Sequence, residues 1–372
     1  MPHKSVIKKV KLTELISKEA LDLLSANGSK LVQEIGIEVV RNVVFDVLTG
    51  KNLRDSTETL TRRRIASLNL AIARMFVKGA SEIKDFISRL PYMASDILSE
   101  KRLSKSERWL AEWILGLTDK AFQNVLRDDT KRLNDYRDNY VKTCLEVIAK
   151  CQEDYGILKG ELNLNSKHKA EIDWIFLLYL LNTVGSQTLA VRGSEKSAYG
   201  KLFEKLILGS LLEILGFRYI ADRRITQKPE RLFWLSSSAD KRESDATLLY
   251  QLGKGIRFDI GFIGRGNPEI SLDKVSRFER EISLGRSKWY MATIIIVDRI
   301  GANSRIETLA KEIGGTIIQM SMGYWPQLVA KELNKILGYK HELVNLPPQN
   351  IAEYIYTKLK QVQLEKFIGL SD

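Results

Sequence analysis

Hydrophobic residues in the N-terminal half of the chain recur every three or four positions, which is the period of an amphipathic helix. Two segments show this period clearly, LTRRRIASLNLAIARMFVKGASEIKDFISRL and SERWLAEWILGLTDKAFQNVL. Ser104 and Glu107 have the spacing of a capping box at the start of the second segment. We therefore predict an all-helical region over residues 1–190.

The pattern changes after VRGSEKSAYG (191–200). A helical pattern, GKLFEKLILGSLLEILGF, ends at Gly216, a residue type that commonly follows a helix terminus. Shorter apolar runs rich in β-branched and aromatic residues then predict strands. These are RLFWLSS (231–237), DATLLYQL (245–252), GIRFDIGFI (255–263), PEISLD (268–273), ATIIIVD (292–298) and GTIIQMS (315–321).

Helical patterns follow the fourth, fifth and sixth of these strands. The order predicts an α+β or α/β fold over 191–345, a mixed sheet flanked by helices in which a meander precedes β-α-β units. A C-terminal helix is expected within 346–372, after two consecutive prolines.

The charge balance points to the kind of partner. The formal net charge is +12, which suggests nucleic acid or an anionic membrane surface. We do not expect a membrane, because we find no apolar run near the roughly 20 residues that a spanning helix needs. Cys144 and Cys151 are expected as free thiols in a reducing cytoplasm, and scattered histidines disfavour zinc or Ser-His-Asp chemistry.

Two acidic residues stand in neighbouring predicted strands. Asp259 interrupts RFDIGFI, and Glu269 opens EISL after a Gly-Asn-Pro turn. Because side chains alternate along a strand, both carboxylates emerge on one side if these strands pair. Mg²⁺, which prefers oxygen ligands, would neutralise such a pair. The spacing also allows each acid to pair with an arginine, Arg257 or Arg265, or to lie at a solvated strand end.

A third acid, Glu204, lies in the predicted helix 200–217, where a solvated surface position is the default interpretation. The order of helix with Glu204, strands with Asp259 and Glu269, helix, strand, helix and strand resembles the PD-(D/E)xK nuclease superfamily over about 190–325. Most type II restriction endonucleases belong to that superfamily. GKLFEKLILGSLLEILGF with RFDIGFIGRGNPEISLDKVSRFE looks most like the subfamily typified by CfrBI. The resemblance makes Asp259 the motif's aspartate, Glu269 its second acid and Glu204 the additional helix acid.

The chain departs from the family's motif at two positions. Phe258 stands where the nominal proline would be, a common variation. Ser271 occupies the position of the motif lysine, two residues after Glu269. Lys274 is close enough to supply a displaced ammonium if the chain turns into a helix after this strand.

A second alignment of the motif is open. It takes Asp245 and Asp259 as the two acids, which puts Gly261 at the lysine position and keeps Glu243 as a possible ligand. We prefer Asp259 with Glu269, because that choice leaves a helix-strand-helix-strand tail of the expected length.

The resemblance implies a type II restriction endonuclease that hydrolyses a specific double-stranded DNA site with Mg²⁺ and leaves 5′-phosphates. The metal would lie between Asp259 and Glu269 with help from Glu204, and Lys274 would stabilise the transition state. A homodimer on a palindromic site and a cognate DNA methyltransferase encoded nearby are also expected. The candidate DNA-contact residues are Arg277, Ser276, Arg280, Arg265, Arg224 and Lys288. The alternatives are a non-catalytic sequence-specific DNA-binding protein with a degenerate nuclease fold, and a repair or structure-specific nuclease.

Overall fold

The structure is a computed structural model of the chain. It describes residues 11–18, 20, 32, 33, 35–126, 130–165, 167–221, 230–236, 244–262, 292–298 and 316–369. The chain divides into two compact units, each assembled from two stretches of sequence. The first comprises Met1–Asn27 and Leu60–Lys196, and the second comprises Gly28–Thr59 and Ser197–Asp372.

The described residues form both helices and strands. The α-helices are α1 (Ile37–Leu48), α2 (Leu53–Glu82), α3 (Phe86–Leu98), α4 (Lys105–Ile114), α5 (Asp119–Leu126), α6 (Thr130–Tyr155), α7 (Trp174–Ile214), α8 (Trp325–Leu337) and α9 (Ile351–Leu359). The strands are β1 (Gly160–Leu164), β2 (His168–Ile172), β3 (Arg218–Tyr219), β4 (Leu232–Leu235), β5 (Ala246–Gln251), β6 (Lys254–Gly261), β7 (Ala292–Val297) and β8 (Thr316–Gln319). Cys144 and Cys151 of α6 are free thiols, as predicted.

The first unit is held together by the apolar faces of its helices. Phe76 of α2, Phe86 of α3 and Phe176 of α7 are buried, and the Phe76 ring meets each of the other two edge-on. The predicted capping box is confirmed at the start of α4. Ser104 Oγ accepts from the Glu107 N–H, and the Glu107 carboxylate accepts from the Ser104 N–H. The hydrophobic period therefore identified both the helices and their buried faces.

The prediction that the N-terminal region is all-helical is wrong at one place. β1 and β2 form an antiparallel hairpin in which Gly160 pairs with Ile172 and Leu164 with His168. Both strands alternate polar and apolar residues, with Leu162 and Leu164 in β1 and Ala170 and Ile172 in β2, but each run is only five residues long and mostly exposed or half-buried. Asn165 begins the turn with a φ of 51°, a left-handed conformation that asparagine tolerates better than most residues.

Helix α7 is longer than the sequence pattern predicts. It runs from Trp174 to Ile214 without interruption, straight through the segment 191–200 where the pattern changes. Its predicted end is confirmed, because Gly216 has a φ of 83° and the N–H of Phe217 donates to the Leu212 carbonyl oxygen at 3.0 Å.

The first half of α7 corrects a further expectation. Residues Trp174–Gly193 have a mean hydropathy of 1.4 and are long and apolar enough, by length and composition, to cross a membrane. About a third of this stretch, 33%, is buried inside the fold. A core helix of a globular protein has the same length and composition, so the property alone does not indicate a membrane.

The second unit contains a six-stranded sheet in the order β3-β4-β5-β6-β7-β8. β4, β5 and β6 pair antiparallel, whereas β6, β7 and β8 pair in parallel. This confirms the predicted meander over β4, β5 and β6, and the parallel pairs require crossover connections between their strands. The fourth predicted strand, 268–273, and the helices predicted before β7 and before β8 lie outside the described residues. β7 is buried from Thr293 to Val297, as expected of a central strand. The mixed sheet with many helices confirms an α+β fold, and the restriction-endonuclease-like architecture stays a prediction.

Candidate functional site

Asp259 lies inside strand β6 and is fully buried. Alternation along the strand sends Phe258 and Ile260 to one face of the sheet, and Asp259 to the other face with Arg257 and Gly261. Burying a carboxylate costs several kcal/mol unless its surroundings compensate. Packing alone would favour an apolar residue here, so a function is the simpler reason for an acid.

A second acid, Asp245, faces Asp259 across the β5–β6 pair. The antiparallel register pairs Ala246 with Phe258, so Asp245, one residue further along, stands opposite Asp259. Its carboxylate Oδ2 accepts a hydrogen bond from the Ile260 N–H at 2.9 Å. The structure thus brings together the two acids of the second alignment.

Buried polar side chains accompany this pair. Ser244 Oγ donates to the Ala246 carbonyl oxygen at 3.1 Å, accepts from Arg257 Nε at 3.2 Å, and lies 3.2 Å from Thr247 Oγ1. The register sets Thr247 opposite Arg257, one row along the sheet from the two carboxylates. Because a buried positive charge near two carboxylates reduces their repulsion, Arg257 lowers the electrostatic cost of this arrangement.

A third acid, Asp298, follows β7 at the end of the sheet where β6 also ends. Its N–H donates to the Gly261 carbonyl oxygen at 3.2 Å, and its carboxylate accepts a hydrogen bond from Asn52 Nδ2. Val297 is the register partner of Gly261, so alternation directs Asp298 away from the face that carries Asp259. Accordingly, the described part of the chain contains no group of three His, Cys, Asp or Glu side chains able to hold a metal ion.

The remaining predicted site residues are only partly described. Glu204 is half-buried in α7 next to the buried Phe203, and its proximity to Asp259 stays a prediction. Glu269, Ser271 and Lys274 lie outside the described residues. So do Glu243 and the predicted DNA-contact residues Arg224, Arg265, Ser276, Arg277, Arg280 and Lys288, and their roles stay predictions.

The β5–β6 hairpin is the element that brings Asp245 to Asp259. Residues 252–253 join two apolar runs, and Gly253 has a φ of 79°, so the signal of a short hairpin turn was present. Gln251 pairs with Lys254 across this turn. A predicted pairing of these two strands, rather than of β6 with the next predicted strand, would have favoured the second alignment, which contains Asp245.

Comparisons with known proteins cover most of the chain. Residues 37–305 match the family model of the CfrBI restriction endonuclease. The chain is 41% identical over 355 residues to the type II restriction enzyme CfrBI of Citrobacter freundii. The aligned region covers 95% of this chain and 97% of that protein. No solved structure matches the chain. The family match includes β5, β6 and β7, and therefore Asp245, Asp259 and Asp298.

Proposed function

The chain belongs to the CfrBI restriction endonuclease family, and from that premise we propose that it cuts a specific double-stranded DNA site by Mg²⁺-dependent hydrolysis at Asp259 and a neighbouring acid. Its membership makes it a restriction endonuclease, an endodeoxyribonuclease whose substrate is DNA. The metal, the residues that hold it and the chemistry of the products are the proposal.

The observation that carries the proposal is the register that sets Asp245 opposite Asp259. Both side chains offer carboxylate oxygens, and Mg²⁺ is usually held by one or two carboxylates with water and phosphate oxygens completing its shell. The donors therefore fit a hard cation rather than a thiolate-seeking one. When bound, Mg²⁺ supplies a water of lowered pKa and polarises a phosphate oxygen.

The proposal assigns different ligand positions to the acids. Asp259 belongs to both alignments of the motif, so we assign it the central ligand position. Asp245 and Glu269 compete for the second position, and Glu204 is the additional acid. Because Asp259 lies within a strand that is paired on both sides, its backbone position is fixed by the sheet.

Further properties belong to the same proposal. Lys274 would stabilise the negative charge that develops on the scissile phosphate, and Arg277 is our leading candidate for a guanine contact. Products would carry 5′-phosphate and 3′-hydroxyl ends. The net charge of +12 supports a polyanionic substrate. We also propose a homodimer, because a twofold axis presents one site to each strand of a palindrome, and a methyltransferase encoded nearby that protects cytoplasmic host DNA.

Digestion of long duplex DNA tests the metal and the central acid. We expect discrete fragments with Mg²⁺, intact DNA in EDTA, and no cleavage by Asp259→Asn, while binding of that variant to the same DNA in Ca²⁺ persists. Asp154→Asn, at an exposed position of α6, is the matched control and should cleave like the wild-type protein. Cleavage in EDTA, or undiminished cleavage by Asp259→Asn, contradicts the proposal.

Two further variants separate the alignments. If Asp245 is the second ligand, Asp245→Asn abolishes cleavage and Glu269→Gln retains it, whereas the opposite result assigns the position to Glu269. The ends are tested by ligation of the fragments before and after phosphatase treatment. Ligation before phosphatase treatment and none after it is the expected result, and fragments that fail to ligate before the treatment would contradict 5′-phosphate and 3′-hydroxyl ends.

A further inference from the structure

Ser244 immediately precedes Asp245 and is a buried centre of hydrogen bonds. Its O–H donates to the Ala246 carbonyl oxygen at 3.1 Å, and its oxygen accepts from Arg257 Nε at 3.2 Å. Its oxygen also lies 3.2 Å from Thr247 Oγ1, a contact in which either hydroxyl can donate. These bonds fix the conformation of the chain at the residue before the acid.

Arg257 reaches this centre from the neighbouring strand. It lies two residues before Asp259 on the same face of β6, about 7 Å along the strand, and it is 8% exposed. Arginine is rarely buried to this extent without a partner that needs its charge or its direction. The planar guanidinium supplies a positive charge and N–H donors in fixed directions, whereas a lysine ammonium supplies only the charge. Arg257 therefore links the strand of Asp259 to the residue that precedes Asp245.

We propose that Ser244 and Arg257 are positioning residues of the metal site, which hold the Asp245 carboxylate opposite Asp259. The hydrogen bond from the Ile260 N–H to Asp245 Oδ2, at 2.9 Å, is the contact that they maintain. They act through Asp245 rather than on the DNA, because their hydrogen bonds fix the residue that precedes it. This inference rests on the proposed function, because it takes Asp245 as a ligand.

Three measurements on Ser244→Ala and Arg257→Met test the role. Loss of groups that orient a metal ligand lowers metal affinity or activity by about 10- to 100-fold. We expect the Mg²⁺ concentration for half-maximal cleavage to rise by that factor, and calorimetric binding of Mn²⁺ without DNA to weaken equally. Amide exchange at Ile260 should accelerate in the metal-free protein. Arg218→Met, at an exposed position of β3 in the same sheet, should leave all three values unchanged.

The outcomes distinguish positioning from general stability. Arg257→Lys keeps the charge but not the planar fork, so we expect it to resemble Arg257→Met, and wild-type behaviour would overturn the hydrogen-bonded route. A lower melting temperature with unchanged Mn²⁺ affinity and unchanged exchange at Ile260 would overturn the whole inference. Ser244→Cys replaces Ser244→Ala if circular dichroism shows that the latter does not fold.

The proposed function has its own control in this experiment. Asp259→Asn is assayed in parallel under the same Mg²⁺ series. If it cleaves, the proposed function itself fails. The other outcome is an inactive Asp259→Asn together with wild-type Mn²⁺ affinity and wild-type amide exchange at Ile260 in Ser244→Ala and Arg257→Met. In that case only the positioning role fails.

Discussion

Glu112 is a buried carboxyl group of the first unit, and its environment predicts how stability depends on pH. It lies in α4 with 0% exposure, and its Oε1 accepts from Arg108 Nε at 2.9 Å. Its Oε2 has no hydrogen-bond partner among the described residues. Burial raises the pKa of Glu112 from 4.5 to about 7, partly opposed by the Arg108 hydrogen bond and reinforced by the Asp119 carboxylate.

The raised pKa fixes the sign of the effect. Folded protein holds the Glu112 proton more tightly than the unfolded chain does, so the stabilisation is complete below pH 4.5 and is lost as the pH rises through about 7. One unit of pKa difference corresponds to about 1.4 kcal/mol, so the loss amounts to about 3 kcal/mol in total. In Glu112→Gln this component is absent at every pH. The buried amide instead adds a pH-independent penalty of about 1–3 kcal/mol.

Urea unfolding followed by tryptophan fluorescence, from about pH 4.5 to about pH 8, measures this component. The free energy of unfolding of the wild type should fall relative to that of Glu112→Gln by about 3 kcal/mol across this range. Other titrating groups cancel in the difference, and Glu153→Gln, at an exposed position of α6, should show no such trend. A difference that is constant with pH, or that has the opposite slope, would refute a buried Glu112 that is protonated in the folded state.

Two local features give further predictions. Ser104→Ala removes one half of the capping box with Glu107, so the free energy of unfolding should fall by about 1 kcal/mol, and Ser104→Asp should restore most of it. In α7, a Cβ at Gly209 would lie 2.8 Å from ring carbons of Phe367, so Gly209→Ala should destabilise by about 1–3 kcal/mol. Gly200→Ala, in the same helix with open space around its Cβ, should instead stabilise by about 0.5–1 kcal/mol. Urea titrations check all three, and equal effects of the two glycine substitutions would contradict the contact with Phe367.

The local sequence pattern was sufficient to predict the strand that carries Asp259. The alternation in RFDIGFI predicted strand β6, with Asp259 on one face of the sheet and Phe258 and Ile260 on the other face. This prediction was possible because a period of two residues does not depend on neighbouring strands. The hairpin at 160–172 was missed although its strands alternate polar and apolar residues, because each strand has only two apolar positions.

Contacts between residues far apart in the sequence could not be predicted from the local sequence pattern. Asn52, just before α2, donates to the Asp298 carboxylate at the end of β7, and Trp325 Nε1 donates to the Val47 carbonyl oxygen at 2.8 Å. Neither the hydrophobic period nor any turn signal relates residues so far apart. Such contacts arise only when the second unit assembles from its two stretches.

The sequence by itself determined that an acid interrupts β6 and that another precedes β5. Which acids meet was decided by the strand register. Counting from the Gln251–Lys254 pair would set Asp245 opposite Ile260, and a one-residue irregularity just beyond the turn sets it opposite Asp259 instead. A slip of one residue moves a side chain to the other face of the sheet. Whether a bulge forms depends on the packing of both paired strands, and so only the tertiary structure could place the two carboxylates side by side.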